Sequence, residues 1–296
     1  MIEEIVEGLY LVHGASKGRF PWSHSILAVG DRTVLFDTGC GEKAIDEVKE
    51  SYHVDLVVNS HTHPDHFSGN HHFRECELWV PDMFASILPD LENMSLRLTG
   101  GGEPAREWLH LVREVLGHVP TEPTGTFWEG DVIDLGDMRF RALYTPGHTL
   151  DHFCFLEEKR RIILSFDIDL TPFGPWYGHV ECDLDQFCDS LHRVLALRPE
   201  MIVSSHRRPL SEGIEEEIAA FDDVFVRRNR KVLDLLGSGP ATPEGLAGLS
   251  PFYGVPDSGF ALARYFEARM IEKHLELLER RGLAEKQGDG SYRMVR

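Results

Sequence analysis

Ser60-His61-Thr62-His63-Pro64-Asp65-His66 packs three imidazoles and a carboxylate into six consecutive positions, His61 to His66. The apolar run just before it, Val54-Asp55-Leu56-Val57-Val58, reads as a buried strand. Neutral imidazole nitrogens and a carboxylate oxygen are what borderline divalent cations accept. His61 and His63, two apart on an extended chain end, can face one point. Asp65 and His66 then have to turn back toward a second.

Four later or earlier stretches repeat this placement of a polar residue at the end of an apolar run. His148 stands in Tyr144-Thr145-Pro146-Gly147-His148-Thr149, and Asp167 ends Ile162-Ile163-Leu164-Ser165-Phe166. His206 follows Met201-Ile202-Val203-Ser204-Ser205, and Asp37 closes Val34-Leu35-Phe36. Taken in this order, the residues resemble the His-x-His-x-Asp-His signature and companion motifs of the metallo-β-lactamase fold family. The resemblance implies an α/β, four-layer αββα sandwich. It implies that His61, His63 and His148 hold one metal ion, that Asp65, His66 and His206 hold a second, and that Asp167 bridges them. Asp65 would also orient the attacking water and pass a proton onward, and Asp37 would accept a hydrogen bond from a ligand histidine. Asp169 rivals Asp167 for the bridge, because strand alternation puts the two on one face. The donor types favour two zinc ions, with iron or manganese also accommodated.

Composition bounds what such a site serves. The chain has 296 residues, 27% of them charged and 42% hydrophobic, with a formal net charge of −19. That is ordinary globular composition, and the negative field argues against a nucleic-acid or anionic-membrane partner. Five scattered cysteines (Cys40, Cys76, Cys154, Cys182 and Cys188) include no Cys-x-x-Cys pair and read as reduced thiols. The acidic start Met1-Ile2-Glu3-Glu4-Ile5 carries no signal pattern, no apolar run spans a bilayer, and a cytoplasmic protein is expected.

Residues 1–211 are expected to form the catalytic domain, with a helical insertion at about 83–120 that roofs the pocket or makes a dimer contact. Phe67 to Phe73 reads as the start of a helix following His66. Residues 212–238 read as a connecting amphipathic helix, and a long helix from about Ala261 to Arg281 is followed by a Gly-Asp-Gly hairpin. Residues 239–296 thus resemble the winged-helix-like tail of some family members. Its eight Lys plus Arg against eight Asp plus Glu argue for dimerisation or pocket closure over DNA reading. For the pocket, Phe20 and Trp22 are candidates on the early loop, as are Trp176 and Tyr177 after Asp167. Tyr177 could donate to a developing oxyanion.

The resemblance covers members that cleave thioesters, lactones, β-lactams, phosphodiesters and sulfate esters, so the fold does not choose a reaction. Acidity and an aromatic mouth favour a small carboxylic ester, lactone or thioester, cleaved in the manner of glyoxalase II-like members. A phosphodiesterase or nuclease is the alternative, and would need Lys17, Arg19, Arg207 and Arg208 around the pocket. An iron-dependent persulfide oxygenase or a non-catalytic metal-binding protein is the third reading.

Overall fold

Period-two alternation with apolar residues on both faces marks the central strands of the computed structural model, which describes residues 1–255 and 262–295. One sheet runs in spatial order β1 (Ile2–Val6), β2 (Leu9–Val12), β3 (Ser25–Val29), β4 (Thr33–Phe36), β5 (Leu56–Val58), β6 (Glu77–Pro81) and β7 (Gly125–Phe127). Its first half is antiparallel and the steps from β4 to β7 are parallel. The second sheet holds β8 (Val132–Asp134), β9 (Arg139–Tyr144), β10 (Phe153–Glu157), β11 (Ile162–Phe166) and β12 (Met201–Ser204), with only β11 and β12 parallel.

The side chains sort themselves by parity. Ile26, Ala28, Val34, Phe36, Leu56 and Val58 meet Phe140, Ala142, Phe153, Phe155, Ile162 and Leu164 in one core between the sheets. The intervening Leu27, Leu35 and Val57 point the other way, onto α1 (Glu42–Ser51) and α2 (Pro64–Phe67). That outer layer continues with α3 (Leu91–Thr99) and α4 (Gly102–His110). Cys154, Ile163 and Ile202 likewise point outward, onto α5 (Leu184–Ala196) and α6 (Ile214–Leu236). Helix, sheet, sheet and helix therefore stack as the four expected layers. Phe36 sits at the centre, its ring 5.2 Å from Phe140 and 5.1 Å from Phe155.

Two sequence expectations change in detail. The helix expected over Phe67 to Phe73 is instead the single turn α2 and a separate 3-10 turn, Asn70–Phe73. Gly69 between them lies against β4's end, where a Cβ would come within 2.4 Å of the Thr38 carbonyl oxygen, and Asn70 bonds Thr38 and Asn59. Within the helical insertion expected at about 83–120, α4 ends at His110 and the chain passes into a π turn, Leu111–Val115.

After α6 come α7 (Pro243–Ala247), capped by the Thr242 hydroxyl, then α8 (Ala263–Arg280) and the hairpin β13 (Ala284–Lys286) with β14 (Tyr292–Met294). The expected helix start at Ala261 lies outside the described residues. These elements pack against both outer layers: Met270 and Leu277 join the core under α5 and α6, and Leu262 and Phe266 join the one under α3 and α4. Among the described residues no helix is long and apolar enough to cross a membrane.

Candidate metal centre

Five strand ends deliver the polar residues to one edge of the sandwich. β4 ends into Asp37, which adopts a positive φ of 58°, and β5 ends into the His61 to His66 loop. β9 leads to the turn at Gly147-His148, whose Gly147 has φ 125° and leaves no space for a side chain: a Cβ would lie 2.3 Å from the Phe187 amide nitrogen. Phe166, at the end of β11, also has a positive φ, 47°. The chain therefore swings at that residue, and Asp167 and Asp169 do not share a fate. Asp167 turns into the histidines, whereas Asp169 accepts from the Thr171 amide at 3.0 Å. His206 follows β12.

Two groups of side chains result, each offering one ligand atom per residue with all atoms of a group within 4.8 Å of one another: His61, His63, His148 and Asp167, and Asp65, His66 and His206. Asp167 stands between them. Its Oδ2 lies 3.1 Å from His148 Nε2 and 3.9 Å from His61 Nε2, while its Oδ1 lies 3.0 Å from His66 Nε2 and 3.3 Å from His206 Nε2. Asp65 Oδ2 is 3.6 Å from His206 Nε2 and 3.7 Å from His66 Nε2.

The outward nitrogens are tied down, which fixes the inward ones. His66 Nδ1 donates to Asp37 Oδ2 at 2.7 Å. Asp37 also takes the Ser60 amide and hydroxyl, and His61 Nδ1 donates in turn to that hydroxyl at 2.9 Å. His148 Nδ1 donates to the Trp176 carbonyl and His206 Nδ1 to the Gly18 carbonyl. Four imidazoles thus present Nε2 inward. His63 is reversed, with Nδ1 facing His148 Nε2 at 2.8 Å.

The donor set fits metal ions on an observation of its own. His61 Nε2, His66 Nε2 and Asp167 Oδ1 are buried without a hydrogen-bonding partner, an arrangement that costs free energy unless a cation fills it. The electrostatics agree. Burial opposes charge on His66 and His206, but the facing carboxylates outweigh it, raising His66 well above the usual value and His206 to about 9. Burial likewise opposes charge on Asp167, and His66, His206 and His148 overcome it, so this carboxyl is held well below the usual range. At this end of the site the carboxylates demand positive charge. At the other end, burial leaves His61 and His63 neutral, ready to donate lone pairs.

A buried ion cluster that the sequence reading missed braces the loop. Arg97 of α3 pairs with Asp151 and Glu181, and its guanidinium also donates to the Thr62 hydroxyl at 3.0 Å. Asp151 Oδ2 accepts from both the amide and the hydroxyl of Thr62, the residue between His61 and His63. Nothing local in the sequence joins residues 62, 97, 151 and 181.

Above the two groups opens a cavity of about 680 Å³. Phe20 and Trp176 line it, together with Trp108, Leu111, Phe173, Tyr253 and Phe266. Trp22 is not among its lining residues; it packs near Gly41. Tyr177 departs from its expected place. It is fully buried away from the cavity, with its hydroxyl 2.7 Å from His274 Nε2 and accepting from Arg228 at 2.9 Å, so it has no phenol to offer an oxyanion. Of the four basic residues a nuclease would gather, Arg19 alone lines the cavity; Arg207 pairs with Glu217.

Residues 21–206 match the metallo-beta-lactamase superfamily, and the chain belongs to that superfamily, whose members are mostly hydrolytic metalloenzymes. The solved structure of a metallo-beta-lactamase family protein from Thermus thermophilus superposes with a TM-score of 0.76 at 21% identity, covering 99% of this chain and 100% of that one. A protein of unassigned function from Aquifex aeolicus is 31% identical over 191 residues, 64% of this chain and 84% of its own. An atrochrysone carboxyl ACP thioesterase from Aspergillus fumigatus is 25% identical over 214 residues. The match spans 70% of this chain and 57% of that thioesterase.

Proposed function

We propose that this chain is a hydrolase of small carboxylic esters, lactones or thioesters that works with two divalent metal ions, zinc foremost. The observation carrying this reading is the single carboxylate of Asp167, whose two oxygens face two separate groups of ligand atoms. His61, His63 and His148 would hold one ion, and Asp65, His66 and His206 the other, with Asp167 shared. Two such ions supply an ionised water near neutral pH and polarise the carbonyl under attack.

The chain's own groups do the rest. Asp65 accepts the proton of the attacking water and returns one to the departing oxygen or sulfur, so that the acyl–heteroatom bond breaks as the acyl carbon gains a hydroxyl. Asp37 keeps His66 in the tautomer that presents Nε2, and acts on His61 through Ser60. The thioesterases among the relatives support an acyl substrate. The dispersed basic residues weigh against the nuclease alternative.

Initial rates on a matched thioester, lactone, β-lactam and phosphodiester, with metal-reconstituted protein and His61→Ala as control, test the reading. Turnover of acyl substrates alone is expected. Turnover of the phosphodiester alone overturns it, and oxygen uptake with a single bound iron would identify the oxygenase instead.

A further inference from the structure

Six aromatic side chains from four separate parts of the chain wall the cavity: Phe20, Trp108, Phe173, Trp176, Tyr253 and Phe266. Trp176 is their pivot. Its indole N–H donates to the Tyr253 hydroxyl at 2.9 Å, and its ring meets His63 and Phe266 edge-on, at 5.5 and 5.3 Å between centroids. Tyr253 in turn stacks on Phe173 at 5.6 Å. A side chain at Gly178 would put its Cβ 2.6 Å from Trp176 and 2.9 Å from Phe266, so glycine there lets the two rings close up.

One polar atom on this wall has no partner among the described residues. His179 is 2% exposed and lines the cavity, with its ring 4.7 Å from His63 and 5.2 Å from Phe266. It belongs to neither group of ligand atoms, and its Nδ1 is buried without a hydrogen-bonding partner. The imidazole is hydrogen-bonded to the Leu98 backbone, which leaves Nδ1 as its free acceptor. Among the described lining residues Arg19 is the sole Lys or Arg, set against Asp65, Asp167 and Asp169.

We propose that the cavity selects an uncharged, ring-bearing acyl group, seated against Trp176, whose hydroxyl substituent donates a hydrogen bond to His179 Nδ1. This assignment rests on the acyl-hydrolase reading and names its substrate class. Flat rings complement rigid aromatic faces, which a linear alkyl chain covers poorly. Among the described residues the wall itself offers a polyanion only Arg19. A ligand without the hydroxyl leaves the buried Nδ1 unpaired, and sites of that kind discriminate strongly.

Binding of 2-naphthoate, 3-hydroxy-2-naphthoate and octanoate to the metal-loaded full chain, followed by calorimetry, tests this directly. Hydrolysis of the N-acetylcysteamine thioesters of the same acids is measured in parallel. The naphthoates should bind about tenfold more tightly than octanoate, and the hydroxyl should add about a further tenfold. His179→Leu should abolish the hydroxyl's increment while metal content and naphthoate binding stay unchanged, and His179→Gln should restore part of it. Equal binding of octanoate overturns the proposal. So does an equal loss for all three acids, or loss of metal in both His179 variants, which would make the residue a ligand. Selective naphthoate binding without turnover of any thioester would sustain the wall's selectivity and sink the acyl-hydrolase reading instead.

Discussion

The floor of the cavity and its wall are built on opposite plans. The floor is polar and local: each of its histidines and aspartates follows the end of a strand, and the outward nitrogens of four imidazoles are bonded to fixed acceptors. The wall is apolar and dispersed, drawn from the early loop, the inserted helices, the loop after Asp167 and the C-terminal segment. Chemistry that needs tenths of an ångström is placed on sheet edges, and selection that needs only shape is placed on connections.

Removing the shared carboxylate should break the floor most severely. Asp167→Ala is expected to lower kcat/KM by about a thousandfold, equivalent to several kcal/mol of transition-state stabilisation, and to reduce bound metal as read by elemental analysis. An unchanged metal content would mean that Asp167 does not join the two groups. Next comes the brace between floor and insertion. Arg97→Met strands Asp151 and Glu181, and should cost about 3–5 kcal/mol, seen as a lower denaturant midpoint at constant m-value. Little change would show that Arg97 is dispensable to that brace. A smaller effect belongs to Asp37→Asn, which should weaken metal affinity by about 10–100-fold while leaving the relative binding of naphthoate and octanoate intact. A shift in that preference would show that floor and wall are coupled.

The smallest effect concerns the packing behind the wall. His274 holds the Tyr177 hydroxyl and is pushed down to about 3, by burial first and then by Arg228. Its folded pKa lies below the unfolded value near 6.5, so the unfolded chain takes up the proton first and stability falls as pH drops below about 6.5. About 1 kcal/mol should be lost between pH 6.5 and 5.5 from this group. Denaturant curves of His274→Gln should therefore show a shallower acid slope, and an unaltered slope would mean that His274 does not titrate as described.

The same contrast explains what the sequence made legible. His61 to His66, His148, Asp167 and His206 announce themselves because each follows an apolar run, and the parity of β3, β4, β10 and β11 is visible in their residues. Asp167 and Asp169 could not be separated by alternation, since the strand ends one residue earlier, at Phe166, where φ turns positive. Tyr177 looked like a pocket residue by proximity. Its burial depends on Arg228 and His274, 51 and 97 residues away in sequence. Arg97, Phe266 and His179 carry no local signal, because only packing of distant elements brings them to the site, whereas Trp108 lies in the stretch expected to roof the pocket.

Arg228 has one more consequence. It is buried on α6, donating to the Phe173 and Pro175 carbonyls that flank the pocket lip and to Tyr177. A ribosome releases residue 206 well before residue 228, and residue 228 before Tyr253 or Phe266. A nascent chain therefore has every candidate ligand, and most of the wall, in hand while its lip is still unfastened.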